Sequence, residues 1–236
     1  MALLVGVDGC PAGWLAVTWD DAAPGPDTVL IHRTARDLLA AHADAQVIAV
    51  DIPIGLANDA RRQADVEARS LLGKRRSCVF DAPLRPALDA PSRLAAGLIT
   101  KDLCGLGVST QAWEMSHKVR DMDRAITPEL QELCVEIHPE LSFAMWNGGA
   151  PLPNAKKTDA GRRARATLID ARWPGCRTRL TAQLVERHPK KHWGHDDLND
   201  ALAALWSAER IARGTATRIP ATTQVDERGL RCEIWT

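Results

Sequence analysis

Neither sign of charge prevails in this chain. Thirty lysines and arginines balance thirty aspartates and glutamates, so no global basic field announces a nucleic-acid partner, and any such surface has to be local. No apolar run approaches the roughly 20 residues needed to span a bilayer as a helix. The opening MALLVGVDG has no cationic stretch and meets a carboxylate at Asp8, so it does not read as a secretory leader. The six cysteines (Cys10, Cys78, Cys104, Cys134, Cys176 and Cys232) include no C-x-x-C pair. That argues against a zinc ribbon, and a scattered thiol inventory points to the reducing cytoplasm. Tyrosine is missing and phenylalanine occurs twice against eight tryptophans, a bias that identifies no function. Internal repeats and low-complexity tracts are lacking too. What remains is a chain of 236 residues, 45% hydrophobic and 25% charged, sized for one large domain or one domain with an insertion.

The stretch around which the rest is organised is LLVGVDGCPAGWLAVTW, Leu3 to Trp19. Two apolar runs joined by a short Gly/Pro segment predict a β-hairpin. The first run is apolar without alternation, as expected of a central strand buried on both faces. It ends in Asp8, a carboxylate that is costly to bury unless something pairs with it. Trp14 and Trp19 read as core rather than as base-stacking platforms.

Thr28 to His32 predicts a third strand, Ala35 to Ala43 a short helix, and QVIAVDIPI (Gln46 to Ile54) a fourth strand that also carries an acid near its end, Asp51. Residues about 58–128 read as an insertion in a single domain spanning 1–236. It contains a basic helix over Arg61 to Arg76 capped by Gly73, a proline-interrupted loop over 77–105, and a helix over Ser109 to Arg124. Leu130 to Ile137 predicts a fifth strand, closing in Glu136, His138 and Glu140. A basic helix is expected over Lys156 to Trp173 and another over Arg179 to Arg187. The clearest helix is HDDLNDALAALWSAERIA, His195 to Ala212, with Leu198, Ala201, Leu202, Leu205, Ala208 and Ile211 on one face. Glu227 to Thr236 reads as a turn and edge strand.

Asp8, Asp51, Glu136, Asp197 and Asp200 all lie near the end of a predicted strand or in the first turns of one helix. Asp197 and Asp200 are three apart and share a helix face. Carboxylates brought together cannot all stay ionised without a compensating cation. Mg²⁺ or Mn²⁺ takes oxygen ligands of this kind, and two such ions roughly 4 Å apart would stabilise the attacking and leaving oxygens of phosphodiester hydrolysis. The plain alternatives are a helix cap for Asp197, a solvated helix face for Asp200, a core histidine for His138 and a loop residue for His195.

VGVDGCPAGW, AVDIPIGL, ARSLLGKRRSCVF, VEIHPELSF, DDLNDAL and DERGLRCEIW, in that order between residues 5 and 235, resemble the domain of unknown function 429 family. Its members are described as predicted nucleases of the ribonuclease H fold. The resemblance implies an α/β fold with a five-stranded mixed sheet flanked by helices, the first three strands antiparallel. It also implies a metal-binding carboxylate set like that of Holliday-junction resolvases. Asp8, Asp51, Asp197 and Asp200 occupy the similar positions; Glu136 has no counterpart there and rests on its place near a strand end.

Arg62, Arg69 and Arg76 sit seven apart, and with Lys156 they are candidate phosphate contacts for DNA or RNA; the bland alternative is a solvated basic face. The expected function is metal-dependent hydrolysis of nucleic acid. The rivals are a nucleotide-binding phosphotransferase that holds phosphates in the first hairpin turn, and a catalytically idle binding protein.

Overall fold

The computed structural model describes residues 2–236. The chain opens with the predicted hairpin, β1 (Leu3–Cys10) and β2 (Gly13–Asp20), followed by β3 (Thr28–His32), helix α1 (Ala35–Ala41) and β4 (Val47–Val50). A helical excursion follows: α2 (Gln63–Leu72) running into a 3₁₀ stretch Gly73–Cys78, then α3 (Arg93–Cys104) and α4 (Thr110–Ala125). Strand β5 (Cys134–Glu136) returns to the sheet. Helices α5 (Pro139–Trp146), α6 (Asp159–Arg172), α7 (Cys176–Arg187) and α8 (His195–Ala212) come next, and β6 (Arg218–Val225) and β7 (Arg231–Trp235) close the described chain.

The five-stranded sheet has the order β3-β2-β1-β4-β5. β1, β2 and β3 pair antiparallel, whereas β4 joins β1, and β5 joins β4, in parallel. This mixed sheet is consistent with the ribonuclease H-like arrangement expected from the sequence. Side chains alternate across it with a period of two. Leu4, Leu15, Val17, Val47 and Ala49 pack with α5 to α8 on one face; Val5, Val7, Trp14, Ala16, Ile48 and Val50 pack with α1 and α4 on the other. Trp14 and Trp19 are both buried.

The strongest elements match their predicted bounds, α8 residue for residue. Departures occur where tertiary contacts decide. The predicted strand Leu130–Ile137 shrinks to three residues, because Leu130–Glu132 coils into a 3₁₀ turn. The helix expected from Lys156 starts at Asp159, where the Thr158 hydroxyl accepts the Gly161 amide as an N-cap. The insertion contains α3 directly after Pro91, capped by the Ser92 hydroxyl. Helix α5 and strand β6 were not anticipated. β6 pairs with β7 in a separate two-stranded sheet, which meets the end of β5 through an Ile137–Trp235 bridge. No described helix is long and apolar enough to cross a membrane.

Candidate functional site

Asp8 and Asp51 stand beside each other because their strands are parallel and in register. Val7 pairs with Val50, and the Asp51 amide donates to the Val7 carbonyl at 3.0 Å, carrying the ladder one step further. Strand alternation then sends both carboxylates to the face covered by α8. That helix lies unusually close to β1. A Cβ on Gly6 would stand 2.2 Å from both the Ala201 carbonyl oxygen and the Leu205 nitrogen, so only glycine permits the contact. Two residues beyond Gly6 is Asp8; one residue before Ala201 is Asp200. The glycine thus brings the two acids into one cluster.

Asp200 is 1% exposed, which overturns the solvated-face alternative. Its Oδ2 accepts from the Lys156 ammonium at 2.5 Å, while its Oδ1 is buried without a partner. Lys156 lies in the turn ahead of α6. Burial pushes Asp8 well above the usual carboxylate range, and Asp51 and Asp200 push it further. Asp51 is raised to about 6 by burial, against the pull of Lys156 and a hydrogen bond with Asp8. Asp200 is also raised to about 6 by burial, again opposed by Lys156. In return Asp200, with Asp8 and Asp51, holds the Lys156 ammonium firmly in its charged form. The site is therefore a buried excess of negative charge with a single close cation.

Asp197 stands at the edge of this group. Its Oδ2 accepts from the Gly194 amide at 2.8 Å, so it caps its own helix, and burial raises its carboxyl against that bond. Lys118 reaches in from α4: its ammonium donates to the Gly13 carbonyl, and burial lowers it against the pull of Cys10, Asp121 and Asp8. His195 precedes these acids at the start of α8, its ring edge-on to Trp193.

Two expected members of the site lie elsewhere. Glu136 pairs with Val50, one position short of Asp51, and that single step turns it to the opposite sheet face. There both its oxygens accept from Arg62, at 2.7 and 2.8 Å, and Oε2 also accepts the Ile54 amide at 2.7 Å. Arg62 is the correction on the other partner. It is 3% exposed, precedes α2 rather than lying on its outer face, and is saturated by Glu136, Asp65 and the carbonyls of Ile54 and Gly55. It cannot contact a phosphate. Arg69 bonds Asp81 at 2.5 Å and remains half-buried, whereas Arg76 is exposed. Arg61, Val66, Arg69, Ser70, Gly73 and Arg76 line one open groove along α2.

Glu140, read from the sequence only as part of the close of the fifth strand, lies in the first turn of α5 and joins the site. It is buried, held by Arg165 at 2.5 Å and Arg75 at 3.7 Å, and its charge raises both Asp51 and Asp200. His138, assigned above to the core as the plain alternative, is lowered by burial, leaves Nδ1 without a partner, and lines a small cleft with Asp51 and Pro53. The signal for both was the spacing E-I-H-P-E, which shows chemistry-bearing residues but not the helix that begins at its proline.

Among the described residues no three His, Cys, Asp or Glu side chains are arranged to grip a metal ion; the cation in contact with the cluster is the Lys156 ammonium. The donor chemistry nevertheless fits a hard divalent cation. Asp8, Asp51 and Asp200 offer only oxygens, one ammonium does not balance them, and the Asp200 Oδ1 lacks a partner.

Residues 6–225 match the family described as "Protein of unknown function (DUF429)", and the chain belongs to that family. No curated protein and no solved structure matches it.

Proposed function

We propose that this protein is a metal-dependent phosphodiesterase acting on nucleic acid, DNA or RNA, in the cytoplasm. One observation carries the reading: three buried carboxylates, from β1, the residue after β4 and α8, converge where the parallel β1–β4 ladder ends, with too little positive charge to balance them. Asp8, Asp51 and Asp200, with Asp197 at their edge, would hold Mg²⁺ or Mn²⁺. Bound there, such an ion supplies an activated water and polarises a phosphoryl oxygen. The chain's own residues do the rest. Lys156 orients Asp200 through its ammonium, and Glu140, fixed by Arg165, sustains the negative field at Asp51 and Asp200. The groove along α2 offers Arg61, Arg69 and Arg76 to a phosphate backbone. The six cysteines are free thiols, in keeping with a reducing compartment.

The phosphotransferase alternative has less support. Its phosphates would need the amides of the first hairpin turn, but the Ala12 amide is spent on the His192 carbonyl at 3.2 Å. The test is Mn²⁺-dependent cleavage of labelled single-stranded, duplex, hybrid and four-way-junction substrates, with Asp8→Asn alongside. Cleavage by the wild type, reduced on the order of 100-fold or more in the variant, is the expected result. No cleavage of any substrate by folded protein, with melting unmoved by Mn²⁺, would sink the nuclease and leave the idle binding protein.

A further inference from the structure

We propose that the carboxylate cluster takes one divalent cation, not two, and that the Lys156 ammonium holds the place of the second. This rests on reading the cluster as a cation site and says how that site is filled.

Asp200 uses its two oxygens differently. Oδ2 is occupied by the Lys156 ammonium at 2.5 Å, whereas Oδ1 is buried and unpartnered. One edge of this carboxylate is thus already serving a cation, and one edge is open to another. Asp197 stands at the edge of the cluster, with its Oδ2 turned to the Gly194 amide. Charge leads to the same count. One divalent ion together with one ammonium balances the three carboxylates of Asp8, Asp51 and Asp200, while two divalent ions beside the ammonium would leave a buried excess of positive charge.

Lys156 is also delivered to this place by a built turn. The Thr158 amide and hydroxyl both donate to the Ala155 carbonyl, at 2.9 and 2.8 Å. Helix α6 presses directly on that turn, since a Cβ on Gly161 would stand 2.0 Å from the Ala155 oxygen. The buried Arg165 guanidinium ties Asn154 to the same helix, donating to its carbonyl at 3.3 Å and to that of Gly161 at 3.0 Å. A lysine that merely covered a surface acid would need none of this. An ammonium fixed here cannot act as a Lewis acid on water, but it can stabilise negative charge on a departing oxygen, which is the second ion's part in a two-ion site.

The test counts Mn²⁺ bound per chain, by titration of metal-free protein, in the wild type, Lys156→Arg and Lys156→Met, with melting curves confirming that each is folded. The expected result is one ion in the wild type and in Lys156→Arg, and a second ion gained in Lys156→Met. Two ions in the wild type would overturn this inference and leave the cation site standing. One ion in all three, with equal affinity, would overturn it as well, because Lys156 would then not occupy an ion's place. No ion in any of them would remove the cation site itself. Counting is independent of cleavage: a chain that binds one ion yet cuts nothing would lose the nuclease reading and keep this one.

Discussion

Two groups of buried charge lie on opposite faces of the same sheet, and they are built on opposite rules. Around Arg62, one guanidinium meets Asp65 at 2.6 Å and Glu136 at 2.7 Å, the Glu136 oxygens also take the Ile54 amide, and the Asp65 Oδ2 takes the Ala82 amide. Burial works against the charged form of Arg62 and the two carboxylates more than restore it, so donors and acceptors close on one another. Around Asp8 three acids share one ammonium and one buried oxygen is left without a partner; burial raises carboxyls in both groups, Glu136 to about 7 as well as Asp51 and Asp200 to about 6. The first group ties the loop after β4 to α2 and β5. The second holds unbalanced charge in place, at a cost in stability that only a cation from outside can offset. A saturated ionic group is architecture, and an unsaturated one at strand ends is a site.

The comparison breaks most visibly at Arg62. Replacing it by methionine leaves Glu136 and Asp65 buried without their cation and should lower the unfolding free energy by about 3–5 kcal/mol, read from urea titration. A loss under about 1 kcal/mol would mean that this group is no more structural than a surface pair. Asp51→Asn should do the reverse. Asp51 is raised to about 6 in the fold, so the folded state keeps a proton that the unfolded chain gives up near its ordinary value. Its contribution therefore favours folding at low pH and is lost as pH rises through about 6. At pH 7.5 the variant should be more stable than the metal-free wild type by about 1–3 kcal/mol. That advantage should shrink steadily as the pH is lowered toward 4, and Mn²⁺ should no longer raise the variant's melting temperature. An advantage independent of pH would contradict a titrating cluster. The smallest effect belongs to the exposed Arg76. Arg76→Ala should leave stability within about 0.5 kcal/mol and reduce the salt dependence of nucleic-acid binding by about one counterion, in filter-binding assays across a salt series.

How much of this was legible beforehand depended on whether a residue's placement is local. Asp8 and Asp51 end apolar runs, and Asp200 lies on a helix whose apolar stripe is unmistakable, so their meeting followed from the order of elements. Glu136 was misplaced by a question of parity. A strand read as eight residues long has no fixed register, and a shift of one exchanges its faces. Arg62 was misplaced because spacing of seven implies a shared face only if the helix has begun; Gln63 is where it begins. Lys156 reads from the sequence as a phosphate contact, since nothing local predicts that a turn locked against Gly161 will aim it at an aspartate on α8. Glu140 is visible in E-I-H-P-E as a chemistry-bearing residue, but its role is set by Arg165 from a helix further along the chain.

The contact at Gly6 also bears on when the site comes into being. Asp8 and Asp51 are placed as soon as the parallel pair β1–β4 has formed, but the cluster is incomplete until α8, folded from much later residues, has come down on β1 backbone to backbone. Ala201, Ala204 and Ala208 are fully buried on that helix. A long-range docking step of this kind is slow relative to local folding. Cation affinity should therefore arise late and all at once during folding, making ion uptake a clock for the final docking event.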